Sequence, residues 1–374
     1  MKDLGIYIHI PFCLRRCNYC GFYSQGLNAF GDEDGTRHAE NQYVQWLIGQ
    51  IRERGAELRR KYTVDTVFVG GGTPSILSAE AMEAILGAVR ENFAVSSDAE
   101  ITVECNPATL DARKLKRYRD AGINRLSIGA QSLDDGILQR LGRAHSASEF
   151  LDTYRLARRI GFDNINVDLM FAVPGQTMDQ WKETVEQVLS LAPDHMSFYS
   201  LQIEEDTPFY DQYIEGTLIP VPDELDREMY HWAARTLKQR GYEHYEISNA
   251  CLPGKECRHN LKYWSFDDYL GIGDSASSFI EGVRFTEKPR EEYHVNDMED
   301  NTGEFVFTGL RKAGGIRKSE FARRFGREFW DVYGDRMPHL EEFFQRGQLI
   351  EEGDNLRLSE EGIDISNAIM AMFV

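Results

Sequence analysis

Residues 5–20 read GIYIHIPFCLRRCNYC. Apolar and polar positions alternate from Ile6 to Ile10, the period of a β-strand. Directly after this strand come Cys13, Cys17 and Cys20. Spacings of four and then three put three sulfurs on one tight loop. Three thiolates ligate three irons of a cubane and leave the fourth iron open to another ligand. Arg15 and Arg16 are positioned to hold thiolates and an anionic cluster. Zinc is the rival metal, but it usually takes a fourth nearby Cys or His. His9 is close in sequence, yet it alternates away from Ile8 and Ile10. Three separately buried cysteines are the plainest alternative.

Outward from this loop, β-branched runs and amphipathic segments alternate. Strands are expected at Val64–Val69, Glu100–Glu104, Arg125–Ile128, Asn164–Leu169 and His195–Ser200. Between them lie helical patterns such as AMEAILGAVRENF, ARKLKRYRDAG and DQWKETVEQVLSLAP. This order is the signature of parallel βαβ units. With the first strand it predicts an α/β fold, an open, partial (β/α)6 barrel. At the end of the second strand stands Gly70-Gly71-Gly72-Thr73-Pro74. Glycines there let backbone amides approach a ligand, and ligands of α/β barrels bind at the C-terminal strand ends. Taken alone, the run is equally a tight strand-to-helix turn.

The chain changes character after about residue 205. A helix over 223–240 leads into the aromatic-rich HNLKYWSFDDYLGIG (259–273). The charged stretch 287–300 reads as a linker or exposed loop, and the Gly-rich, acidic stretch 25–38 as a mobile loop. QLIEEGDNLRLSEEG (348–362) reads as a β-hairpin followed by a helix, the pattern of a winged-helix-like domain. The expected division is a barrel over 1–205, an extension over 206–300 and a C-terminal helical, winged-helix-like cap over 301–374.

Composition narrows the classes of function. The net charge of −19 argues against a nucleic-acid partner held by broad electrostatics and against a polybasic membrane anchor. No apolar run approaches the roughly 20 residues of a transmembrane helix. The N-terminus lacks a signal-peptide pattern. Clustered thiols in such a chain point to metal ligands in a reducing cytoplasm.

The cysteine loop after YIHIPFC and the GGGTP turn resemble the radical SAM superfamily. Within it they are similar to the oxygen-independent coproporphyrinogen III oxidase-like branch. ECNP (104–107), RLSIGAQS (125–132), LGRAH (141–145), NVDLMFAVPGQT (166–177), SFYSLQIEEDTP (197–208) and YEISNACLPGKECRHNLKYW (245–264) extend the resemblance over nearly the whole chain. The resemblance implies that Cys13, Cys17 and Cys20 hold a [4Fe-4S] cluster. It implies that Gly71, Gly72 and Thr73 line the methionine end of S-adenosylmethionine (SAM), and that Tyr7, Glu104, Gln131, Arg143 and Asp168 contact SAM. Arg143 suits a carboxylate. Glu104, Gln131 and Asp168 offer acceptors to hydroxyls or an ammonium. Glu104 and Asp168 are also ordinary helix-capping types.

Two features point to the HemW-like subgroup, proposed heme chaperones. Phe22 stands where the oxidases carry a further Cys, and only twelve residues precede Cys13. The segment His259–Trp264 matches the subgroup's HNxxYW motif. The resemblance makes His259 a candidate axial heme ligand, and Tyr263 and Trp264 candidates to stack on the macrocycle. A structural histidine among core aromatics is the alternative. In Gly271–Ser278, Asp274 and Ser275 replace the family's small residues near the expected adenosyl end. The expected function is heme binding and delivery to apo-hemoproteins. The alternative is a radical SAM enzyme acting on a porphyrinogen-like substrate, or a two-SAM methyltransferase.

Overall fold

The alternation of the first strand is used on both faces. The computed structural model describes residues 1–288 and 291–374. Strand β1 (Lys2–Ile10) buries Ile6, Ile8 and Ile10 completely in the main apolar core, which includes Leu47 and Ile51 of the helix Glu33–Leu58. Tyr7 and His9 point to the other face. Strands β2 (Tyr62–Gly71), β3 (Ala94–Cys105), β4 (Arg125–Gln131), β5 (Ile165–Phe171) and β6 (His195–Ser200) follow in parallel, each beside its predecessor. Helices cross between them, as the βα pattern requires.

The sheet extends beyond the six expected strands. On the β6 side it adds β7 (Glu243–Glu246) and β8 (Asn249–Cys251), both antiparallel to their neighbours. On the β1 side it adds β9 (Tyr269–Ile272), parallel to β1. An antiparallel meander of β10 (Ser277–Ile280), β11 (Val283–Thr286) and β12 (Glu292–Val295) follows. The strand order is 12-11-10-9-1-2-3-4-5-6-8-7.

Two loop expectations are corrected. In 25–38, Gln25–Gly26 pairs in parallel with Phe12–Cys13. Asp32 then caps a 26-residue helix, its carboxylate accepting from the Gly35 amide at 2.9 Å. Glu33 and Asp34 occupy the first turn, where the helix dipole favours acids. The acidic run is thus a helix start. In 287–300, Glu292–Val295 is an exposed edge strand, and Asp297 caps the helix Met298–Gly309. Pro289 and Arg290 of that stretch lie outside the described residues.

The helix Arg258–Trp264 plugs the barrel. Its neighbours are Gly5, Asp65 and Thr66, from the N-terminal halves of their strands, and Glu100, from the middle of β3. A Cβ on Gly5 would stand 2.8 Å from Lys262 Cδ, so only glycine permits this approach. Glu100, itself buried, caps the plug by accepting from the backbone amides of Arg258 at 3.1 Å and His259 at 3.2 Å. Lys262 pairs with Asp65 at 2.8 Å.

The C-terminal part has its own apolar core of Phe305, Phe321, Phe329, Leu340, Leu356 and Phe373, among others. Its helices surround a three-stranded sheet whose hairpin is Leu349–Glu352 and Asn355–Leu358. Among the described residues no helix is long and apolar enough to cross a membrane.

Trp181, on the helix Met178–Leu189, is fully buried and donates its indole N–H to the Met229 carbonyl at 2.9 Å. Trp181→Ala is expected to lower the stability of the barrel by about 3–5 kcal/mol, measured by chemical denaturation.

Candidate cofactor site and the cleft beside it

The three-thiol loop is anchored by backbone bonds. The Gly72 amide donates to the Ile10 carbonyl at 2.8 Å, which joins the end of β1 to the GGT turn of β2. Asn18 reaches the end of the helix Asp135–Leu141, its amide donating to the Leu141 carbonyl at 3.0 Å and its side chain to Arg140 O at 2.8 Å. Cys13, Cys17 and Cys20 are all free thiols. Thr73 Oγ1 donates to Cys13 Sγ at 3.6 Å, and Arg143 Nη1 to Cys17 Sγ at 3.6 Å. Arg15 and Arg16, expected beside the sulfurs, instead donate to the carbonyls of Arg143 and Cys20. The guanidinium that touches a thiol is Arg143.

This loop suits an iron–sulfur cluster better than one ion. Its three thiols match the three protein ligands of a cubane that keeps one iron open, whereas zinc usually takes a fourth Cys or His. Burial pushes the Cys20 thiol up to about 11 and raises that of Cys13. A Cβ on Gly72 would lie 3.0 Å from Cys13 Sγ and 2.7 Å from Phe12 O, so the space beside the sulfur depends on glycine. The buried Arg143 Nε has no partner among the described residues.

The remaining sequence-predicted residues fall into two groups. At the strand ends, Gly71 has φ 117° and its amide donates to Glu104 Oε2 at 3.1 Å. Its Cβ would strike the His9 ring at 2.7 Å. Gln131 has φ 65°, beyond a register shift between β4 and β5 that re-aims the strand end. Deeper in the barrel, Asp168 accepts from Ser127 at 3.1 Å and from Asn166 at 2.7 Å. Tyr7, Glu104, Asp168 and Tyr263 share the wall of an inner chamber of 200 Å³ with Arg125 and Asn166. Burial, helped by Asp168, lifts the Glu104 carboxyl to about 8. His9 donates from Nε2 to the Tyr23 carbonyl at 2.9 Å, so its Nδ1 accepts from the Tyr7 hydroxyl at 3.0 Å.

Beside this chamber opens a cleft of 510 Å³, lined by Tyr7, His9, Tyr263, Trp264, Tyr269 and Phe279 among others. Arg284 on its wall is engaged by Glu304 at 2.7 and 2.5 Å and by the Tyr269 hydroxyl at 3.1 Å. Phe22 also reaches the cleft and is exposed. The unusual loop 271–278 sends Ser275, at φ 58°, to the same wall. It is pinned by the Asp274 amide donating to the Tyr43 hydroxyl at 3.1 Å, while that hydroxyl donates to His9 O at 2.8 Å.

Of the two readings of His259, the structure matches the structural histidine and not the axial ligand. It is fully buried, with Nδ1 bonded to Thr66 Oγ1 at 2.8 Å and Nε2 to the Tyr263 hydroxyl at 2.8 Å. An axial ligand needs a lone pair open to the cleft, and here neither ring nitrogen is free. Burial, with Lys262 and Arg125 adding to it, pushes the imidazole down to about 3. The neutral ring therefore stands behind Tyr263. The sequence reading missed Arg125, Tyr269 and Arg284. An arginine opening the apolar strand RLSIGA was the available signal, since charged residues are rarely fully buried.

Six parallel βα units with a three-cysteine loop at their C-terminal ends define a radical SAM protein. A family model described as the radical SAM superfamily matches residues 7–188. One for the HemN C-terminal domain matches residues 297–365. Heme chaperone HemW of Lactococcus lactis is 32% identical, with 100% of this chain and 98% of the relative covered. HemW of Bacillus subtilis is 34% identical (98% of each), and that of Escherichia coli 34% (100% and 99%). The chain belongs to the HemW family. The structure of coproporphyrinogen III oxidase (HemN) from Escherichia coli aligns with a TM-score of 0.85 at 22% identity. That alignment covers 100% of this chain and 90% of HemN, a likeness of fold. Membership of the radical SAM superfamily implies a [4Fe-4S] cluster and SAM as cofactors.

Glu104 makes stability depend on pH. Its carboxyl holds a proton more tightly in the folded chain than at its usual 4.5. Folding therefore takes up a proton between about pH 4.5 and 8, and stability falls as pH rises through that window. Glu104 is expected to contribute a loss of up to about 1.4 kcal/mol per pH unit there in the cluster-free chain, read as the difference between wild type and Glu104→Gln in denaturation at stepped pH, since buried histidines such as His145 and His259 act in the opposite direction below about pH 6.5.

Proposed function

We propose that this chain binds heme in the aromatic cleft and passes it to apo-hemoproteins, and that its cluster and SAM lie at the neighbouring strand ends. In this reading Cys13, Cys17 and Cys20 hold the cluster. Gly71, Gly72, Thr73, Arg143 and Gln131 meet SAM near it, and Tyr7, Glu104 and Asp168 meet SAM from the chamber side. When bound, the cluster supplies one-electron chemistry to SAM. The chain's own part is to orient: Arg143 offers a guanidinium to a carboxylate, and the Gly71–Thr73 backbone leaves room for a ligand. The barrel over 1–205 carries the cofactors, 206–300 supplies most of the cleft wall, and 301–374 caps it. The cytoplasm is the proposed compartment.

One observation carries the heme reading. Several aromatic rings line the cleft, an apolar surface with a size suited to a macrocycle. Tyr263 and Trp264 of the HNLKYW segment are on it, with His259 fixing Tyr263 from behind. The family's named members, heme chaperones, agree.

Anaerobic reconstitution is expected to give about four irons per chain, and Cys17→Ala to abolish iron binding with unchanged far-UV circular dichroism. Iron retained by Cys17→Ala would remove that residue from the ligand set. The reconstituted wild type is expected to bind heme at about one per chain and to release it to an apo-hemoprotein. Tyr263→Ala and Trp264→Ala should weaken heme binding while sparing the cluster. Conversion of coproporphyrinogen III with stoichiometric 5′-deoxyadenosine, and no heme uptake, would replace the chaperone reading with the enzyme one.

A further inference from the structure

The inner chamber holds a cation that the cofactor assignments leave unused. Arg125 opens β4, is 2% exposed and lines the chamber, and its Nε has no hydrogen-bond partner among the described residues. A guanidinium stays charged even when buried, so it calls for an anion. Glu100 and Asp168 favour its charge from nearby, yet among the described residues neither makes a hydrogen bond to the guanidinium. Glu100 caps the plug helix through both oxygens. Asp168 is held by Ser127 and Asn166. Glu104 accepts from the Gly71 amide, and burial favours its protonated form, so it does not supply the missing anion. Ser127, Asn166 and Ser197 add polar groups to the same wall. Tyr7 and Tyr263 line both chamber and cleft, so the two spaces meet at these rings. The guanidinium on the cleft wall, Arg284, is already paired with Glu304.

We propose that Arg125 anchors a carboxylate arm of the ligand in the cleft, a tetrapyrrole propionate entering between Tyr7 and Tyr263. The assignment rests on the heme-binding reading above. The chamber, at 200 Å³ against 510 Å³ for the cleft, suits a side arm and excludes the macrocycle. A bidentate guanidinium–carboxylate pair in such a site gives orientation as well as affinity. The ring would then lie against Tyr263 and Trp264 with one propionate pointing into the barrel.

The test compares heme with heme dimethyl ester in the full-length, cluster-loaded chain. Wild type is expected to prefer the free acid by about tenfold or more. Arg125→Gln should bind both forms alike, and Arg125→Lys should restore part of the preference. Equal binding of both forms by wild type, or an unchanged preference in Arg125→Gln, overturns the proposal and leaves heme binding standing. SAM affinity, from the shift of the reduced cluster's EPR signal, should be the same in wild type and Arg125→Gln. A fall there with heme preference intact would give the anion to SAM instead and overturn the assignment. A second measurement needs no heme. Sodium propionate, but not propionamide, should raise the Tm of wild type and not of Arg125→Gln. No effect of propionate would mean a chamber holding solvent only and overturn the proposal. Failure of heme uptake with this shift present would count against the chaperone reading alone.

Discussion

The parallel register of β1 and β2, with Ile10 opposite Gly71, is the constraint on which the rest depends. The cysteine loop leaves the end of one strand and the GGT turn the end of the other. The Gly72 amide on Ile10 O fastens the two exits together. A slip of one residue would invert every side chain of β1, sending Tyr7 and His9 into the apolar layer and Ile6, Ile8 and Ile10 into the barrel. The apolar layer thus fixes the register, and the register fixes where the sulfurs stand. Gly71 and Gly72 sit where it leaves no room for a side chain, against His9 and Cys13.

Inside the strands, this barrel departs from the packed apolar interior usual of closed (β/α)8 barrels. Its lower layer is a polar lattice of Thr66, Glu100, His259, Asn166, His195 and Tyr245, tied by bonds such as His195 Nδ1 to Asn166 Oδ1 at 2.6 Å and Nε2 to the Tyr245 hydroxyl at 2.8 Å. Such networks specify a unique arrangement when satisfied and are costly when not. Here most members are satisfied, and Arg125 is the conspicuous exception. The main apolar core lies outside the strands, where the helices pack.

Much of this was legible in sequence. The period-2 strand, the thiol spacing and the alternation of βα units led directly to the barrel and its functional end. Residues defined by their backbone turn, Gly71 and Gly72, were legible because few residue types fit there. What was not legible depended on contacts between distant segments. Arg143 meets Cys17 across 126 positions, while the nearer Arg15 and Arg16 turn to carbonyls. His259 looked like an open ligand because a motif shows neighbours in the chain and says nothing of Thr66, 193 residues away. The acidic run at 32–34 looked like a loop because charge at a helix start and charge in solvent share one composition.

The plug helix gives the barrel a floor. Because Glu100 binds that floor to β3, and Lys262 binds it to Asp65 on β2, the lower end of the strands is shut by the chain itself. The interior then resembles a flask with its neck on the cofactor side. Once an occupant seats in the neck, water and protons beneath it are isolated from bulk solvent. Their exchange is then governed by how long the occupant stays, and reagents that act on the lower residues must wait for it to leave.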